Sequence, residues 1–233
     1  PDARRDRDRH RRRADLGPRD SLRCGLTRRV LARSRLAVTV AAIVLAAGAS
    51  TRMGAIKPLL PLGAHSLLQR VLQTLTDASV HTRILALGPP HGEIIAATVP
   101  QSLPIAWNPD PQRGMLSSLQ LALALLPPEA EGTLVWPADI PLVSAATLIT
   151  LLTQDRTELL IPTYQARGGH PLWLPRRLIA ATLALPATAS LRDLRTTHAA
   201  VRVPVPDPEI VRDLDTAMDY EAVAQSVDPR WLV

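Results

Sequence analysis

Lys57 is the only lysine of this 233-residue chain, and it closes the segment LAAGASTRMGAIK. Two glycines, Gly48 and Gly54, and a run of small residues would leave backbone N–H groups open to an anion, with Arg52 and Lys57 supplying charge. Lysine is a compact point charge on a flexible stem and arginine a fixed planar fork, so the two are not equivalent where a charge must follow a moving phosphate. Far along the chain, VWPADIP places the carboxylate of Asp139 directly behind an apolar run. A lone carboxylate of this kind suits Mg²⁺, which takes one or two protein carboxylates and fills its remaining positions with water and phosphate oxygens. The segment is a phosphate cradle. It lacks the middle glycine of the dinucleotide fingerprint and the GK[ST] tripeptide of the P-loop.

These residues must be held by elements that the apolar patterning predicts. TVAAIVLAA reads as a buried first strand, and SLLQRVLQTL carries its apolar residues at helical spacing. Further strands are expected in RILALG, PIAWN, TLVWPAD and ELLIPTY, with GGHPLWL as a return strand. Helices are expected in HGEIIAATV, GMLSSLQLALALL, SAATLITLLT, PRRLIAATLAL, SLRDLRTTHA and TAMDYEAVAQ, with two short extended pieces in VRVPVPDPEIVRDLD. Strands alternating with helices make an α/β domain with an open, mostly parallel sheet and helices on both faces. Ligands of such sheets bind beyond the carboxyl ends of the strands, where Gly48 and Asp139 both fall.

NPDPQRGMLSSL offers a second cluster: Asn108 ends a strand, Gly114 permits an unusual backbone, and Ser117 and Ser118 open a helix. Helix capping and turn formation explain the same residues equally simply. In VRDLDTAMDY, strand alternation would put Asp213 and Asp215 on one face, while Asp215 or Thr216 could instead cap the last helix, TAMD forming a capping box. His65, His81, His91 and His198 have no metal-ligand spacing.

The spacing LAAGxSxRMGxxK, complete over Leu45 to Lys57, resembles the signature of the molybdenum-cofactor nucleotidyltransferases, within the MobA-like NTP transferases. GMLSSL resembles their GxxxSL segment, VWPADIP their PADxP, and DLDTAMDY their DIDTPEDY. The resemblance implies a single Rossmann-like, GT-A-like domain. It implies nucleotide-binding roles for Leu45, Ala46, Ala47, Gly48, Arg52, Lys57, Asn108, Gly114, Ser117 and Ser118, and catalytic roles for Arg52, Lys57 and Asp139. Asp139 and Asp215 become ligands of Mg²⁺. GGHP resembles the family's RGHP with one extra glycine, which makes Gly169 and His170 the acceptor contacts. LAAG, PADxP and GHP are closest to the cytidylyltransferases, so the expected substrates are CTP and a molybdopterin-type acceptor, with a molybdoenzyme or its chaperone as a protein partner. A sugar- or polyol-phosphate nucleotidyltransferase, and a non-catalytic nucleotide-binding chaperone for molybdenum cofactor, remain as alternatives.

Composition bounds the rest. The net charge of +6 invites a nucleic-acid reading, but residues 1–35 hold 13 arginines against 5 aspartates, leaving a net of −2 for everything after them. The domain, expected over residues 38–233, is therefore slightly acidic. Residues 1–37 are expected to be a disordered arginine-rich tail; a role in gripping an acidic partner and a translation-start artefact both stay open. Cys24 is the only cysteine, which excludes an intrachain disulfide and agrees with a cytoplasmic protein. LAVTVAAIVLAAGA is short for a membrane span. No nucleic acid and no membrane are expected as partners.

Overall fold

The computed structural model describes residues 39–51, 53–186 and 189–226. The expectations for residues 1–37 and for Arg52 fall outside the described residues. Ten strands are described: β1 (Thr39–Leu45), β2 (Pro61–Leu62), β3 (His65–Ser66), β4 (Thr82–Leu87), β5 (Ile105–Trp107), β6 (Ala130–Pro137), β7 (Leu159–Tyr164), β8 (Arg167–Gly168), β9 (Leu172–Pro175) and β10 (Ala200–Pro204). The helices are α1 (Leu67–Asp77), α2 (Gly92–Ala96), α3 (Met115–Leu123), α4 (Ala145–Leu152), α5 (Ile179–Ala184) and α6 (Ala217–Ser226).

The main sheet runs β10-β7-β9-β6-β1-β4-β5, with β8 paired to β7. Pairings of β1 with β4 and β6, of β4 with β5 and of β10 with β7 are parallel, whereas β9 lies antiparallel to both β6 and β7. Each strand of the middle carries a continuous apolar run, residues 41–45 in β1, 84–87 in β4 and 134–137 in β6, because both faces are covered there. Ala42, Val44, Leu134 and Trp136 pack with Leu68, Val71 and Leu75 of α1 and Leu148 and Leu151 of α4. Ile43, Leu45 and Val135, one residue out of phase, pack with Leu116, Leu119 and Leu123 of α3. The two-residue period of the strand thus divides one sequence run between two layers.

The chain moves from β1 outward through β4 and β5, then returns to the other side of β1 as β6. That reversal opens a crevice at the carboxyl ends of β1 and β6. Leu45 stands opposite Pro137 in the register, and the Ala138 N–H donates to the Leu45 carbonyl at 2.9 Å. The loops after these two strands therefore begin side by side.

Three expectations need correction. The segment after the cradle contains a small antiparallel hairpin, β2 with β3, whose last residue, Ser66, forms the N-terminal capping box of α1 with Gln69. SLRDLRTTHA is no α-helix: only a 3₁₀ turn, Asp193–Thr196, forms, because Ser190 donates its N–H and hydroxyl to the Asp193 carboxylate and folds the chain locally. The second extended piece is likewise a 3₁₀ turn, Pro208–Val211, and residues 212–215 belong to no strand, so alternation does not orient Asp213 and Asp215. Asp207 makes that turn: its carboxylate accepts from the Glu209 N–H and from both hydroxyls of Ser144 and Thr147 on α4.

Candidate active site

The loop leaving β1 folds around Ser50, which adopts φ +53°, with Gly54 at φ +64°. Ser50 accepts at its carbonyl from the Met53 N–H at 3.1 Å and at its hydroxyl from the Lys57 N–H at 3.1 Å. The backbone N–H groups of Gly48, Ala49 and Ser50 meet no acceptor among the described residues. A Cβ placed on Gly48 would touch no protein atom within 4 Å, so the room there is room in the crevice.

Lys57 opens a 3₁₀ turn, Lys57–Leu59, with Pro58 fixing its direction. Its ammonium group donates to Asp215 Oδ1 at 2.9 Å and to Asp139 Oδ2 at 3.4 Å. The three charges come from segments 82 and 158 residues apart. Their meeting is enforced by the backbone: the Leu214 N–H donates to the Asp139 carbonyl at 2.9 Å, while the Leu214 side chain is fully buried against Leu62, Leu67 and Val223. Thr216 takes the capping role, its N–H and hydroxyl donating to the Asp219 carboxylate at 2.8 and 2.7 Å. Asp215 is thereby directed to Lys57 and not to the helix.

Asn108 and Ser117 lie beneath the crevice floor, at 2% and 3% exposure. The Asn108 amide donates to the hydroxyls of Ser117 and Ser118, both at 2.9 Å, and its oxygen accepts from the Asp110 N–H at 3.0 Å. The cluster fastens the turn after β5 to the first turn of α3. Gly114 begins that helix at φ +101°, a backbone that only glycine adopts readily. From this base Ser118 and Met115 reach the crevice wall beside Ala47, Gly48 and Asp139.

Gly169 passes so close to Ile210 that a Cβ would lie 2.1 Å from its carbonyl oxygen, and the His170 N–H donates to that same carbonyl at 2.8 Å. The His170 ring sets Nδ1 3.4 Å from the Val135 carbonyl. A carbonyl only accepts, so Nδ1 carries the proton and Nε2 keeps its lone pair. Burial holds the imidazole below the ordinary histidine value; the Val135 carbonyl and the Asp139 charge oppose this in part, while Arg192 adds to it.

Three cavities adjoin along the crevice. One of about 70 Å³ lies between Gly48, Ser50, Lys57 and Asp139. A second of about 170 Å³ is bounded by Ala47, Gly48, Pro111, Met115 and Ser118. The third, of about 350 Å³, has apolar walls from β1, β7, β9 and α3 and a polar side made by His170, Ser190, Arg192 and Arg195. Leu45 borders all three. A larger depression of about 560 Å³ lies at the opposite strand ends, beside Thr82 and Pro104, and has no carboxylate among the described residues of its lining. The chemistry therefore belongs to the smaller, divided crevice. Arg192 and Arg195 were not singled out in the sequence; the available signal was their spacing of three around an apolar residue.

A family model for the MobA-like NTP transferase domain matches residues 42–203, which takes in the last four residues of β1, the loop that follows it, Asp139, His170 and both arginines. The chain belongs to the MobA-like NTP transferase family. Among curated relatives of this chain, molybdenum cofactor cytidylyltransferase of Escherichia coli K12 is 24% identical, the match covering 76% of this chain and 92% of that one. Probable molybdenum cofactor guanylyltransferase of Synechococcus elongatus is 28% identical over 80% and 98%. Bifunctional protein GlmU of Acidithiobacillus ferrooxidans is 37% identical over 48% of this chain, a match spanning only a quarter of that protein's length. Among solved structures, Rv0371c of Mycobacterium tuberculosis superposes with a TM-score of 0.72 at 29% identity, covering 81% of this chain and all of that one. A manganese complex of Rv0371c gives 0.68 at 27% identity over 81% and 98%.

Proposed function

We propose that this transferase moves a nucleoside monophosphate from a nucleoside triphosphate, CTP first among them, to the phosphate of a molybdopterin-type acceptor and releases pyrophosphate. The observation that carries the reading is the junction of Lys57 with Asp139 and Asp215 beside a loop whose N–H groups stand open. Two carboxylates converging on one cation offer the hard oxygen donors that a divalent metal takes together with phosphates. Asp139 and Asp215 would hold Mg²⁺, which when bound supplies neutralisation of charge at the α-phosphate.

The chain's own residues do the rest. The N–H groups of Gly48 to Ser50, with Lys57 and Arg52, bind the triphosphate, and the cavity beside Ala47, Gly114 and Ser118 receives the nucleoside. Asn108 and Ser117 act one step back, by fixing the helix that presents Ser118. Gly169 and His170 face the acceptor. An oxygen of the acceptor phosphate attacks the α-phosphorus, a new P–O bond forms in line with the breaking α–β bridge, and pyrophosphate leaves with the electron pair. No covalent enzyme intermediate is required; positioning and charge neutralisation supply the rate.

The relatives named for cytidylyl and guanylyl transfer leave the base to experiment, and the loop's LAAG favours CTP. Purified protein, Mg²⁺, each labelled triphosphate and molybdenum cofactor should give pyrophosphate with CTP. Absence of release with every triphosphate, or release only when a sugar phosphate replaces the pterin, would overturn the reading. Asp139→Asn should abolish turnover and leave the circular dichroism spectrum unchanged; retained turnover would remove its metal role.

A further inference from the structure

We propose that Arg192 and Arg195 form a guanidinium clamp that selects, in the 350 Å³ cavity, an acceptor with a flat ring body, its faces laid on apolar walls, and a phosphate monoester. The inference rests on the nucleotidyl transfer proposed above and names the acceptor half of that site.

Arg192 precedes and Arg195 lies within the 3₁₀ turn Asp193–Thr196. Side chains three apart eclipse one another in this geometry, so the two guanidinium groups rise on one side of the turn. Leu194 points the other way, 1% exposed in the core, and anchors the turn. The one acid between the arginines is engaged elsewhere: Asp193 accepts from the Ser190 N–H at 2.6 Å and from its hydroxyl at 3.2 Å.

Several other described arginines are occupied. Arg156, Arg177 and Arg212 hold carboxylates, and Arg176 and Arg202 hold backbone carbonyls. The guanidinium groups of Arg192 and Arg195 have no hydrogen bond or ion pair with a described residue, and both border the cavity. Arg113 and Arg167 share that freedom, but neither borders it.

Among the described residues the cavity has no acid in its lining, although the domain as a whole carries more acids than bases. Its charge is thus selective for an anion, and a planar guanidinium fork matches phosphate bidentately. The opposite walls are leucine and isoleucine side chains, with Met115 between this cavity and the nucleoside side. The Nε2 lone pair of His170 is the acceptor available to a ring N–H. A sugar phosphate would leave its hydroxyl groups against these apolar walls without partners, a loss that disfavours it.

The test compares the full chain with Arg192→Gln, Arg195→Gln and the double variant. Molybdopterin binding is followed by pterin fluorescence without nucleotide, and CTP binding with Mn²⁺ is measured separately. Each single change should weaken molybdopterin binding roughly tenfold, and the pair by more, with CTP affinity unchanged. In turnover the loss should fall on acceptor KM more than on kcat. The double Arg→Lys variant, which keeps both charges and their stems, should bind at an intermediate level and serves where the glutamine pair does not fold. Wild-type molybdopterin binding in the double variant overturns the clamp, as does a wild-type protein that binds glucose 1-phosphate and not molybdopterin. Clamp-dependent binding without any pyrophosphate release leaves the clamp standing and refutes the transfer reaction.

Discussion

Replacing Lys57 by methionine separates two roles that the structure merges. The ammonium group sits where it attracts both carboxylates, at 2.9 Å from Asp215 and 3.4 Å from Asp139. In effect it holds the place of a divalent cation between them. A pair of unit charges about 4 Å apart attracts by roughly 1 kcal/mol in water and roughly 4 kcal/mol at the effective dielectric of a protein surface. With side-chain exposures of 12% for Lys57, 32% for Asp139 and 28% for Asp215, the site falls between these limits. Removing the ammonium group leaves two carboxylates facing each other. After relaxation and water entry, we expect a net gain of about 2 kcal/mol for an incoming divalent ion, near thirtyfold in affinity. Titration of free Mn²⁺ by electron paramagnetic resonance, without nucleotide, reads this directly. CTP should tighten Mn²⁺ binding in the wild type, because the phosphates give Lys57 a new anion, and should do so less in Lys57→Met. The variant should melt at lower temperature without metal and recover when Mn²⁺ is added, yet turn over poorly. Mn²⁺ affinity equal to or below that of the wild type would refute the competition between lysine and metal.

Lys57→Arg should bind CTP nearly as well as the wild type but lose about tenfold or more in kcat, because the fork does not follow the departing phosphate as the ammonium does; a fully active variant returns the single lysine to chance. Asn108→Ala leaves two hydroxyls and one N–H without their partner under the crevice, and should cost about 1–3 kcal/mol in urea unfolding and raise the KM for CTP. His170 is held below its ordinary value by burial, so the unfolded chain takes up a proton near pH 6.5 that the folded chain refuses. Folding stability should therefore decline as pH falls below that value, until the lowered value is reached, and His170→Asn should flatten this part of the profile in denaturant titrations from pH 7.5 to 5.

The middle of the sheet was legible because local pattern and tertiary setting agree. β1, β4 and β6 are apolar runs covered on both faces, and α1 carries both its stripe and its Ser66–Gln69 cap in sequence. The segment from Gly48 to Lys57 was marked by its spacing, and the structure closes it locally, the Lys57 N–H returning to the Ser50 hydroxyl. Asp215 was not decided by its neighbours: two residues competed for one helix cap. The choice came from the Thr216–Asp219 bonds and from Lys57, 158 residues away. Asn108, Ser117 and Ser118 showed their polarity but not their depth: none is more than 3% exposed, and of the three it is Ser118 that borders the crevice. Arg192 and Arg195 were hidden in a segment that reads as helix, because Ser190 and Asp193 stop it at a single turn through a local bond that periodicity does not weigh.

The same physical device occurs at two parts of the crevice: a buried backbone contact from a distant segment fixes where a polar side chain stands. Leu214 donates to the Asp139 carbonyl and places Asp215; Gly169, by lacking a Cβ, lets Ile210 accept from His170 and places the imidazole. Ile210 and Leu214 are both fully buried within one short stretch, on either side of the 3₁₀ turn end at Val211. That stretch therefore sets the Asp215 carboxylate and the His170 imidazole together, the pair that the proposed reaction divides between nucleotide and acceptor. A change such as Gly169→Ala, which would force the Ile210 carbonyl away, should accordingly disturb both at once: weaker Mn²⁺ binding at Asp215 together with weaker acceptor binding. Damage confined to the acceptor side would show that the two halves are positioned independently.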